Sequence, residues 1–139
     1  MPAKSALAST TRPVDEKITI NIGCVDLGQI DLLVQEGFYA NRTDLIRTAI
    51  RNQLATHGDA VREVVLRKTL VLGIQHYTAA DLQRVKDAGE KLQIRVLGLA
   101  SIADDVTPRL ALATIESLTV LGALHASPAV KTALRDRMA

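Results

Sequence analysis

The residues that could do acid–base, nucleophilic or metal chemistry are few and scattered along this chain of 139 residues. No paired-ligand spacing such as HxxxH relates its three histidines, and no phosphate-binding glycine loop appears. These histidines are His57, His76 and His125. Asp104 and Asp105 are adjacent and are interpreted as a solvated turn, and Cys24 as a small packing residue. The sequence therefore predicts a protein that is not an enzyme, with no catalytic residue, no metal site and no cofactor.

Composition narrows the classes of partner. The aromatic residues are Phe38, Tyr39 and Tyr77, too few for the stacked platforms that bind single-stranded nucleic acids or RNA loops. A formal net charge of +2 does not by itself indicate nucleic-acid binding, so a prediction of such binding must rest on the geometry of a motif. With one cysteine and no signal-peptide pattern, we expect a cytoplasmic protein.

A short polar-and-apolar strand is the most informative element of the sequence. After a predicted flexible arm over residues 1–15, residues 17–22 alternate strictly with the period of a β-strand. One face of this strand would carry Ile18, Ile20 and Ile22. The opposite, polar face would carry Lys17, Thr19 and Asn21. The chain offers this strand no neighbouring partner, so its backbone donors and its isoleucine face need a second copy.

Pairing of two such strands about a two-fold axis gives an antiparallel ribbon with the polar residues repeated on one surface. A two-stranded ribbon fits the DNA major groove, where Asn can read adenine and Thr can contact polar base edges or a thymine methyl. The sequence thus predicts a homodimer that binds double-stranded DNA.

Two helices follow the strand. Asp26 and Gln29 have capping-box spacing, and Gly37 stands where the first helix should end. Asn41 is predicted to cap the second helix, which should stop near residues 57–58. The predicted dimer core combines the strand with the apolar stripes of both helices: Ile18, Ile20, Ile22, Ile30, Leu33, Val34, Leu45, Ile46, Ala49 and Ile50.

Residues 17–54 resemble the ribbon-helix-helix DNA-binding domain of bacterial and plasmid repressors. The segment from Asn41 to Arg51, NRTDLIRTAIR, is similar to that family's Ser-Arg-Ser-Glu-x-Ile-Arg-x-Ala-Leu-Arg pattern, with Asn in place of the commoner Ser. The resemblance implies base contacts by Lys17, Thr19 and Asn21. It also implies that the second helix holds a DNA phosphate at its N-terminus. The implied phosphate-contacting residues are Asn41, Arg42 and Thr43.

The second half carries an internal repeat. The tripeptide Val-Leu-Gly recurs at residues 71–73, 96–98 and 120–122, and we expect each copy to end a β-strand. A helix-start signal follows each time, at Thr78, Thr107 and Ser127. Three strand-turn-helix units predict parallel strands with right-handed crossovers, either stacked as a solenoid or forming a small α/β layer. No family is assigned to this half.

The sequence therefore predicts an α+β protein. Residues 16–58 would form a ribbon-helix-helix DNA-binding and dimerisation domain, and residues 59–139 an α/β repeat module for oligomerisation or partner binding. The predicted function is transcriptional repression by a homodimer that associates with the nucleoid when bound to DNA. Two alternatives stay open: an antitoxin that regulates its own operon while its second half masks a toxin, and a self-assembling scaffold protein.

Overall fold

The computed structural model describes residues 15–139, so most of the predicted N-terminal arm lies outside the described residues. Within that range the chain divides into two compact units, residues 15–64 and residues 65–139. The first unit is built on helices, and the second combines a three-stranded sheet with helices. The fold class is thus mixed α and β, as predicted.

The first unit begins with residues 17–22, followed by helix α1 (Cys24–Gln35) and helix α2 (Arg42–Thr56). Helix α3 (Gly58–Arg67) follows α2 almost without interruption and crosses from the first unit into the second. Helix α2 ends at Thr56 with His57 as its C-cap, which confirms the predicted stop near residues 57–58, whereas α3 was not predicted. Its apolar residues Val61, Val64 and Val65 have the helical spacing that could have revealed it.

The ends of α1 explain one wrong prediction and one confirmed one. The helix starts after Gly23, so Asp26 lies inside the first turn and is not the cap residue. Its carboxylate there faces the positive end of the helix dipole, which explains an acidic residue at this position equally well. At the other end Gly37 has φ +84°, while the amides of Gly37 and Phe38 donate to Val34 O and Leu33 O. This is a Schellman cap, and it confirms the predicted stop.

The second unit is a sheet of three strands in the order β1 (Val71–Tyr77), β2 (Leu92–Ile102) and β3 (Ile115–His125), all parallel. A helix follows each strand: α4 (Ala79–Asp87), α5 (Pro108–Thr114) and α6 (Pro128–Leu134), the last continued by a 3₁₀ turn. The side chains of Thr78, Thr107 and Ser127 accept the N-terminal amides of these helices, which confirms the three predicted helix starts.

The core of this unit lies between one face of the sheet and the three helices. Helix residues such as Leu82 and Leu134 are fully buried against strand residues such as Ile94 and Leu118. Adjacent helices also pack on each other, α4 on α5 and α5 on α6. The strand-turn-helix units therefore pack in sequence order, as the repeat predicted.

The prediction that Val-Leu-Gly ends each strand is wrong. The three tripeptides lie within the strands and face one another in register, so that Gly73, Gly98 and Gly122 form a row across the sheet. All three have positive φ, between +122° and +139°, a backbone conformation that is strained for any residue other than glycine. A Cβ on Gly98 would overlap Gly73 O, and one on Gly122 would overlap Gly98 O. Close approach of neighbouring backbones requires glycine at positions 98 and 122, and the positive φ favours it at all three positions, so none of the three glycines marks a turn.

Candidate nucleic-acid interface

Residues 17–22, which the sequence predicts to form a strand, have no regular secondary structure in the single chain and pair with no strand among residues 15–139. Lys17, Thr19 and Asn21, the predicted base-contacting residues, are all exposed. Their backbone donors and acceptors therefore lack the ladder hydrogen bonds that a strand needs. In a single copy these backbone groups therefore remain available to pair with another strand.

The isoleucine face of this segment is also uncovered. Ile18 and Ile20 are 78% and 74% exposed, and Ile22 is exposed as well. Further along, Ile46 and Ile50 of α2 are exposed, whereas Ile30, Leu33, Val34 and Leu45 are partly buried. No residue from 15 to 64 is fully shielded from solvent. This unit has no core of its own in the single chain, although it carries enough apolar residues to build one.

The N-terminus of α2 is held by reciprocal hydrogen bonds. Asp44 N donates to Asn41 Oδ1 at 2.8 Å, which confirms Asn41 as the cap, and Ala40 N donates to Asp44 Oδ2 at 3.0 Å. The first amides of a helix have no acceptor within the helix. Because Asn41 takes the amide of Asp44, the preceding amides of Arg42 and Thr43 are directed out of the helix end, where an anion is favoured.

Arg42 links the two helices. Its Nε and Nη2 donate to Oδ1 and Oδ2 of Asp31 on α1, at 2.7 and 2.8 Å. This bidentate geometry orients the guanidinium and ties the start of α2 to the middle of α1. In the single chain Arg42 is therefore a positioning residue for the helix N-terminus, a role that the sequence did not reveal because Asp31 lies 11 residues away.

The hydrogen bond from Arg42 lowers the pKa of Asp31 below its ordinary value. A lowered pKa in the folded state adds stability above the unfolded pKa, and that stability is lost as the pH falls through the folded pKa. We therefore expect the pKa of Asp31 to lie below the ordinary range of an aspartate, and to rise toward that range in Arg42→Ala. Side-chain NMR titration of the carboxyl carbons measures this directly.

Asp81 is the internal control for that titration. Its pKa is lowered chiefly by the backbone amide of Thr78, with a further contribution from the Thr78 hydroxyl. The Arg42→Ala substitution should leave it unchanged. An unaltered Asp31 titration in this variant would show that the bridge does not form in solution.

The remaining chemistry-bearing residues form no second site. The strand register places His76 and His125 in one row with Ser101 between them. They stand two strands apart, about 10 Å, too far for one metal ion. Residues 15–139 contain no group of three His, Cys, Asp or Glu side chains able to hold a metal. Cys24 is exposed at the start of α1, so the prediction that it is a packing residue fails for the single chain.

Comparison with known proteins decides the family. The model of the ribbon-helix-helix transcriptional regulator family matches residues 13–131, most of the chain. The chain belongs to this family. The match extends beyond the ribbon and its helices into α6, so the ribbon-helix-helix family model includes the repeat module that we had assigned to no family. Comparison with curated proteins and with solved structures gives no match.

Family membership makes the protein a DNA-binding transcriptional regulator. Along the part of the chain that the structure describes, no helix has both the length and the apolar character needed to cross a membrane. The ribbon-helix-helix assignment also gives a reason for the uncovered isoleucines, since regulators of this family typically dimerise.

Proposed function

We propose that the protein is a transcriptional repressor that acts as a homodimer and inserts an antiparallel β-ribbon into the major groove. The observation that carries this proposal is the isoleucine face of residues 17–22, which is exposed in a unit that buries no side chain fully in the single chain. A second copy would cover this face and satisfy the backbone groups of the segment in one step.

In this dimer Lys17, Thr19 and Asn21 would contact base edges. Strand alternation places them opposite the isoleucines, so they face the DNA when the isoleucines face the dimer core. Two-fold symmetry would present each residue twice, and the operator should therefore contain an inverted repeat.

The N-terminus of α2 would anchor the dimer to the DNA backbone. Asn41 fixes the helix end, and the amides of Arg42 and Thr43 would donate to a phosphate oxygen. The exposed Arg47 and Arg51 add positive charge along the same helix. Because the net charge of the chain is small, we expect few phosphate contacts and a moderate dependence of affinity on salt.

This assignment makes residues 16–58 the DNA-binding domain and residues 59–139 a separate module. The division by internal contacts falls slightly later, between residues 64 and 65, inside α3.

The proposal is tested with DNA selected from a genomic library by the purified protein. On the recovered site, Asn21→Ala should cost about 1–3 kcal/mol of binding free energy and relax the preference at one base position. Arg47→Ala is the matched control, since loss of a phosphate contact weakens binding to all sequences alike. Recovery of no inverted repeat, or unchanged affinity for Asn21→Ala and Thr19→Ala, would refute the ribbon assignment.

A further inference from the structure

The face of the C-terminal sheet that points away from its helices is apolar, and half of its side chains are exposed to solvent. The strand register aligns two aliphatic rows on it, which we call the outer face. The outer face consists of Leu72, Leu97, Leu121, Ile74, Leu99 and Ala123. None of these residues belongs to the core cluster between the sheet and its helices, although Leu99 is buried and Leu97 and Ala123 are half-buried. Leu72, Ile74 and Leu121 are 71%, 60% and 51% exposed.

A parallel sheet with one side left partly exposed is unusual, because parallel strands are normally covered on both faces. The outer face itself carries no charged residue. The adjoining row on one side holds His76, Ser101 and His125, and the adjoining row on the other side holds Thr119 and the exposed Arg95, at the rim of the face. Two copies of such a face can meet without burying a charge, which removes the main cost of an isologous contact. Its chemistry fits another aliphatic sheet, and two sheets stack about 10 Å apart through side chains of this size.

The size of the outer face decides which copy can cover it. Three strands lie about 4.8 Å apart, and two alternate rows take up about 13 Å along the strands, so the face offers roughly 200 Å². A stable interface between free partners buries about 800 Å² on each side. The face is therefore too small to hold two independent chains together. It is large enough to help two chains that are already joined, because a tether replaces free concentration by an effective concentration in the millimolar range.

We propose that the outer face packs against the outer face of the second copy within the ribbon-helix-helix dimer. This inference depends on the proposed function, which supplies the tether. It assigns the repeat module a role in the dimer that the DNA-binding unit does not provide: a second contact that lowers dissociation of the dimer. The occupant is the same module of the second chain.

The test compares dimer dissociation of the full-length chain and its variants by analytical ultracentrifugation over a dilution series. We expect Leu121→Asp and Leu72→Asp each to weaken the dimer at least about tenfold, since two carboxylates enter the contact. Both positions are exposed in the single chain, so the module should stay folded by circular dichroism. Leu66→Asp is the matched control: this leucine is equally exposed but lies on α3, outside the sheet, and should leave the dimer unchanged.

The outcomes separate the two proposals. A wild-type chain that stays monomeric at all concentrations would refute the ribbon dimer and, with it, this inference. A dimeric wild type whose dissociation is unchanged by Leu121→Asp and Leu72→Asp would keep the proposed function and overturn the contact between outer faces. A wild-type tetramer that Leu121→Asp converts to a dimer would overturn the placement within one dimer, because the face would then join two dimers.

Discussion

Ile20→Asp should convert the protein into a monomer that no longer binds its operator. Ile20 is 74% exposed in the single chain, so the aspartate stays in water there and the fold of the single chain should survive. In the proposed dimer the same position becomes buried at the ribbon, and burial of an unpaired carboxylate costs several kcal/mol per site. We expect operator affinity to fall roughly a hundredfold or more. Ultracentrifugation gives the mass, and fluorescence anisotropy with labelled operator DNA gives the affinity.

Asn21→Ala is the matched control for this variant because it changes the neighbouring residue on the opposite face. It should leave the dimer intact and reduce only DNA binding. The two variants therefore separate dimerisation from base contact. A dimeric Ile20→Asp protein with normal operator affinity would place the isoleucine face outside the dimer core and contradict the proposed ribbon.

Gly98→Ala should unfold or severely destabilise the C-terminal module. Gly98 has φ +139°, where an alanine is strained by about 1–3 kcal/mol. The added Cβ would also overlap the carbonyl oxygen of Gly73, and backbone displacement of this kind costs a further ~1–3 kcal/mol. The sum is a large part of the total stability of an ordinary domain. Urea denaturation followed by circular dichroism measures the loss, and Gly122→Ala should behave alike because its Cβ would overlap Gly98 O.

Gly73→Ala separates the two causes. Its φ of +129° imposes a similar strain, but no atom lies within 4 Å of the position of its Cβ. We expect it to lose only the strain contribution and to remain folded at low denaturant. Equal losses for Gly73→Ala and Gly98→Ala would show that contact between the strands is unimportant and that φ determines the requirement for glycine.

Local signals in the sequence predicted the helix ends because each depends on residues close together in the chain. Asn41, Thr78, Thr107 and Ser127 all accept the expected backbone amides. A cap hydrogen bond joins a side chain to a backbone amide only three residues away, so it forms independently of how the helices pack. Asp26 is the exception, because an acidic residue in a first turn and one at a cap are both favoured by the same helix end.

Contacts between distant residues could not be predicted in this way. The ion pair of Arg42 with Asp31 depends on how α1 and α2 pack, and Arg42 was expected only to contact phosphate. The Val-Leu-Gly repeats were recognised, but glycine was taken as a strand end since it usually ends local structure. Their true position follows from the pairing of three strands, which no single repeat contains.

The sequence by itself determined the capped helices of this protein and its threefold strand-turn-helix repeat. These depend on side-chain spacing and on short-range hydrogen bonds, both of which involve residues close together in the chain. Only the tertiary structure decided that the three glycines share one row, that Arg42 is held by Asp31, and that one face of the sheet stays partly exposed. These features arise because packing brings together backbone and side chains that are far apart in the chain, and their geometry depends on all of the elements at once.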